Sequence, residues 1–79
     1  MEHMADDADR IVEMIKRAGN LDALKPDQNF YDAGIDSMKA LDVMLDMENE
    51  FGVTVPDERF VKARTATDLA ALVAALRTG

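Results

Sequence analysis

Asp36-Ser37 is the pair in this chain best placed to do chemistry. It ends the stretch Asp32-Ala33-Gly34-Ile35-Asp36-Ser37-Met38 and opens a run in which Leu41, Val43, Met44, Leu45, Met47 and Phe51 are interspersed with Asp42, Asp46, Glu48 and Glu50. A serine acts as a nucleophile when a neighbouring base takes its proton. No histidine is near it in sequence, the single histidine being His3, and there is no cysteine. No cluster has metal-ligand spacing. Asp27, Asp32 and Asp36 could hold calcium only weakly, because they lack the EF-hand spacing. We therefore expect no catalytic residue and no intrinsic metal site. A serine at the head of an acidic helix reads instead as a covalent attachment point, modified by another protein. Asp-Ser at a helix start is also a common capping device, so the pair alone does not decide.

The surrounding pattern is helical. Met4, Ala8, Ile11, Ile15 and Ala18 recur at spacings of four and three, one face of an amphipathic helix. Asp6, Asp7 and Asp9 near its start, and Lys16 and Arg17 near its end, complement the helix dipole. Gly19-Asn20 stops it. Residues 20–36, with Pro26 and Gly34, read as a long ordered connection pinned by Leu21, Leu24, Phe30 and Ile35. The second helix is predicted over Ser37–Phe51, with Asp36 as N-cap, Gly52 after its end and Pro56 blocking continuation. Val53-Thr54-Val55 is extended, with no second strand to pair with, and residues 57–61 form one short helical turn. Thr65-Ala66-Thr67-Asp68 is a capping-box pattern that opens a last helix with the stripe Leu69, Leu72, Val73 and Leu76.

Size and charge narrow the function. With 79 residues the chain is one domain at most, with a small core and little room for a deep active site. Residues 5–78 read as that domain. Residues 1–4 read as a disordered or appended end, so His3 is set aside. No apolar run approaches a membrane span and no secretory signal is visible, which fits a cytoplasmic protein. Net charge is −7, and residues 27–58 carry nine acids against the single base Lys39. Such a middle repels phosphate backbones and attracts basic protein surfaces. No nucleic-acid and no membrane partner is expected.

On a helical wheel with Ser37 at zero, Ala40, Val43, Met44, Met47 and Phe51 fall on one side, at roughly 240–340°. Lys39, Asp42 and Asp46 fall opposite. Met38, Leu41 and Leu45 lie beside Ser37, off the core centre, with Glu48 near them. These three apolar residues either widen the core contact or form a partner-docking rim flanked by acids, and Met suits such an adaptable surface. Asp42, Asp46 and Glu50 repeat one sign at successive turns, which costs a few tenths of a kcal/mol per pair. Glu48 and Glu50 also stand at the unfavourable end of the helix dipole. A helix built for stability alone would carry lysines there.

The motif around Ser37, together with Leu41 and the run Glu48-Asn49-Glu50-Phe51-Gly52-Val53-Thr54-Val55-Pro56-Asp57, resembles the acyl carrier protein family, which includes peptidyl and aminoacyl carrier domains. The resemblance extends to the Thr-x-x-Asp-Leu start of the last helix. It implies an all-α four-helix bundle, three main helices plus a short third, with a long loop between the first two. It implies a 4′-phosphopantetheine arm joined to Ser37 through a phosphodiester, moved from coenzyme A by a phosphopantetheinyl transferase and carrying cargo as a thioester. Asp36 would help assemble the transferase magnesium site. Met38, Lys39, Asp42, Leu45, Asp46 and Glu48 would form the partner face, read by the transferase, by a loading ligase or adenylating enzyme and by downstream processing enzymes. The carrier would be a free-standing monomer without catalysis of its own.

Lys39 and Asn49 depart from the acids that fatty-acid-synthesis carriers usually have there. That leans the reading toward a specialised carrier of acyl or aminoacyl groups in secondary metabolism. A fatty-acid-synthesis carrier is the alternative, and an unmodified helical interaction module is the alternative of another class. The residues do not identify the cargo.

Overall fold

The computed structural model describes residues 6–78, and among them it contains four helices and no strand. The expectations for residues 1–4, and for Met4 in the first apolar face, lie outside the described residues. Helix α1 spans Asp7–Gly19. Asp6 caps it, its carboxylate accepting the Asp9 N–H at 2.9 Å. Asn20 closes it in the left-handed region at φ 53°, a conformation asparagine tolerates, and its N–H bonds to the Arg17 carbonyl.

Helix α2 spans Ser37–Phe51, the bounds the sequence predicts. The Asp36 carboxylate accepts the Lys39 N–H at 2.9 Å. At the other end Gly52 adopts φ 66° and donates its N–H to the Glu48 carbonyl. Residues 53–56 are irregular, and the single turn α3 follows at Asp57–Phe60, with no side-chain cap on its first amides. Helix α4 spans Ala66–Thr78. Its capping box is reciprocal: Thr65 Oγ1 accepts the Asp68 N–H at 3.0 Å, and the Asp68 carboxylate accepts the Thr65 N–H at 3.2 Å.

The core sits where the three long helices meet. Ile11 and Ile15 from α1, Val43 and Met47 from α2, and Leu69 and Val73 from α4 are all buried. Helix α1 packs on both α2 and α4, and α3 leans on α4. Each such aliphatic side chain contributes about 1.5–3 kcal/mol when withdrawn from water. The fold class is thus the all-α four-helix arrangement with a short third helix.

The long connection between α1 and α2 is fixed at several points. Leu24, Phe30 and Ile35 are buried and Leu21 packs against them. The Phe30 N–H bonds to the Arg64 carbonyl at 2.9 Å, and Thr67 bonds to the Pro26 carbonyl through both its N–H and its hydroxyl. The Asn29 side chain accepts the N–H groups of Tyr31 and Asp32, forming the turn that presents Tyr31. Gly34 has φ 121°, which only glycine adopts readily, and it delivers the chain into the α2 cap.

Two acids that look unfavourable along the helix have tertiary partners. Glu50 pairs with Arg10 of α1, whose guanidinium also lies over the Phe51 ring, 4.7 Å from its centroid. Asp7 links Arg10 to Arg77 of α4. Glu48 accepts the Val55 N–H at 2.9 Å. The helix-dipole argument missed these contacts because their partners lie outside α2.

Candidate attachment and docking site

Ser37 is the first residue of α2 and is exposed. Its position follows from two local devices. Gly34 turns the chain, and Asp36 caps the helix by taking the Lys39 amide. The first turn of α2 carries no acid after the cap, so the positive end of its dipole is met by Asp36 alone among side chains of that turn. A phosphodiester on the Ser37 oxygen would stand at that positive end, where backbone N–H groups favour anions. The Ser37 hydroxyl also has no hydrogen-bond partner among the described residues.

Ser37 borders an apolar groove of about 230 Å³ between α2, α3 and the turn carrying Tyr31. Ala40, Leu41 and Met44 form the α2 side; Phe60 and Val61 form the α3 side; Tyr31 and Asp57 complete it. The sequence reading named Leu41 and Met44 but not the opposite wall. In that wall Phe60 is buried and Val61 is 61% exposed.

The exposure of α2 beside the groove excludes one of its two readings. Met38 is 79% exposed, Leu41 50% and Leu45 47%, while Ala40, Val43, Met44 and Met47 are buried. These three apolar residues do not widen the core contact; they face solvent. Asp42 and Asp46 are exposed with no ion-pair partner among the described residues. Lys39 is half-buried, and its side-chain ammonium likewise has no carboxylate partner among the described residues. Glu48 stands apart from this set, half-buried and bonded to Val55. Among the described residues no group of three or more His, Asp or Glu side chains is placed to hold a metal, and no helix is long and apolar enough to cross a membrane.

Residues 9–73 match the family described as Phosphopantetheine attachment site. The chain is 36% identical over 64 residues to an acyl carrier protein of Chlorobium phaeovibrioides, covering 77% of this chain and 82% of that one. The chain belongs to the acyl carrier protein family. It is also 39% identical over 51 residues to an acyl carrier protein of Chlorobium phaeobacteroides, 63% of this chain and 65% of that one. An acyl carrier protein of Rickettsia bellii is 42% identical over 38 residues, and there the match spans only 48% of this chain and 47% of the relative.

Acyl carrier proteins are non-catalytic carriers, and membership implies a covalently attached 4′-phosphopantetheine. The residues here fit that group: an exposed serine hydroxyl, an anion-favouring helix start and an apolar groove adjoin one another. The group would supply a flexible arm ending in a thiol. Ser37 would supply the attachment oxygen, α2 the helix that presents it and the groove the surface around it.

Proposed function

We propose that this acyl carrier protein holds its cargo as a thioester on a phosphopantetheine arm attached at Ser37. The observation that carries the reading is the placement of an exposed, unpartnered serine at the first residue of α2, directly after a capping aspartate and beside an apolar groove. Asp36 then has two tasks: it caps α2, and its carboxylate helps assemble the transferase magnesium site. Met38, Asp42, Leu45 and Asp46 form the docking rim, with Lys39 beside them and Glu48 contributing at its edge. Docking through exposed charges speeds encounter more than it tightens binding, which suits a carrier released after each step. The arm raises the effective concentration of tethered cargo at a docked enzyme. The protein works as a cytoplasmic monomer that meets a phosphopantetheinyl transferase, a loading enzyme and acyl-processing enzymes in turn.

The name shared by the relatives supports an acyl cargo, and a role in fatty-acid synthesis has at least as much support as a specialised one. The specialised reading rests on Lys39, whose charge weakens the negative field at the attachment site. One exposed charge is usually worth under about 1 kcal/mol. Two experiments separate these levels. Incubation with coenzyme A and a broad-specificity transferase adds one phosphopantetheine to the wild-type chain and none to Ser37→Ala; addition to that variant overturns the attachment assignment. Offered to fatty-acid acyltransferases, the modified wild type exchanges poorly and Lys39→Asp exchanges better if the field argument holds. Efficient malonyl loading of the wild type assigns the carrier to fatty-acid synthesis.

A further inference from the structure

We propose that Glu48 is a positioning residue: it latches the α2–α3 connection and thereby sets the far wall of the groove beside Ser37. The inference rests on the carrier reading only for its functional meaning, since the latch itself is a property of the unmodified chain.

Four observations carry it. The Glu48 carboxylate accepts the Val55 N–H at 2.9 Å, across seven residues and in a half-buried setting. Val55 is itself buried, so its amide has little water to turn to if the carboxylate leaves. Pro56 and the single turn α3 follow at once, and α3 has no side-chain cap of its own. Asp57, Phe60 and Val61, which this turn carries or ends on, are the residues that face Ser37 and Leu41 across the groove. A four-residue helix has little stability of its own. Its position depends on Phe60, on its packing against α4 and on how the chain leaves α2. Glu48 controls the last of these.

The consequence reaches docking. Asp42 and Asp46 are free charges, whereas Glu48 is an occupied one. A cationic partner side chain that draws Glu48 Oε2 outward does so in competition with the Val55 amide, whereas one that pairs with Oε1 alone leaves the latch in place. Engagement of Oε2 therefore loosens α3 and widens the groove, so contact at this edge of the rim is coupled to the space beside the attachment serine. Asp42 and Asp46 have no such coupling.

The test separates acceptor from charge. Glu48→Gln keeps a carbonyl acceptor and loses the charge; Glu48→Ala loses both. The first readout is amide hydrogen exchange at Val55 relative to Leu69 in the core, measured on the full unmodified chain. The second is acrylamide quenching of Tyr31, the single tyrosine in a chain without tryptophan, which lines the groove. Glu48→Ala is expected to speed Val55 exchange about tenfold relative to Leu69, the effect of losing one hydrogen bond, and to raise Tyr31 quenching. Glu48→Gln should lie near wild type in both. Unchanged Val55 exchange in Glu48→Ala overturns the proposal. So does acceleration shared equally by Leu69, which marks global weakening, or a Glu48→Gln variant as disturbed as Glu48→Ala, which places the effect on charge. None of these readouts involves a transferase, so a failed attachment at Ser37 and a failed latch are separate results.

Discussion

The two ends of α2 are built on opposite rules. At its C-terminal end every notable group has a partner: Glu50 meets Arg10, Arg10 covers Phe51, Glu48 holds Val55, and Gly52 closes the helix. At its N-terminal end Met38, Leu41, Asp42 and Ser37 face water, with no hydrogen-bond or ion-pair partner for their side chains among the described residues. Apart from Lys39 the helix carries only acids, yet Glu48 and Glu50 are bonded within the fold while Asp42 and Asp46 have no ion-pair partner among the described residues. The difference shows that acidity in this sequence is not one property. It serves stability where α1 supplies a cation, and in the proposed docking role it serves recognition where nothing does.

The largest effect should come from the scaffold. Phe30, 1% exposed although it lies in a connection, anchors the segment that delivers Ser37. Phe30→Ala should cost about 3–5 kcal/mol, read by urea unfolding, and would leave a domain this small largely unfolded. A near-wild-type midpoint would show that the connection is not part of the core. Gly34→Ala comes next. Its φ of 121° admits a Cβ sterically but not conformationally, so a loss of about 1–3 kcal/mol is expected.

Asp36→Ala should sharpen the comparison, because Asp36 caps the helix and is proposed to serve the site as well. Loss of the cap should cost about 0.5–2 kcal/mol, while transfer onto Ser37 should slow far more than the fraction unfolded explains. Normal transfer into the destabilised variant would leave Asp36 as a cap only. The smallest stability effects belong to the rim. Met38→Ala should change stability by less than about 0.5 kcal/mol and still slow modification, with the slowing dependent on salt for the neighbouring acids because exposed charges are screened over about 8–10 Å.

Much of the fold was legible because its signals are local. The bounds of α2, the Asp36 cap, the Gly52 exit and the Thr65–Asp68 box each depend on residues within a turn of one another, and the structure realises all of them. The pinning of the connection by Leu24, Phe30 and Ile35 was legible from isolated apolar residues in a polar stretch. Long-range pairing was not. The Arg10–Glu50 link joins residues forty positions apart, and no periodicity in α2 points to it. The far wall of the groove was missed for the same reason. Tyr31 and Val61 meet α2 only through the packing of two connections, whose geometry a sequence pattern does not encode.

The central claim is that the unpartnered end of α2 does the protein's work while the partnered end holds the fold. It is tested most directly by the initial rate of phosphopantetheine transfer onto Asp42→Lys and Glu50→Lys, each normalised to its folded fraction. Asp42 has no partner to lose, so its reversal should slow transfer several-fold with the thermal midpoint unchanged. Glu50→Lys removes the Arg10 link, worth about 0.2–1 kcal/mol, so it should lower the midpoint slightly and leave the normalised rate at the wild-type value. Equal rates for the two variants, or slowing confined to Glu50→Lys, would contradict the division.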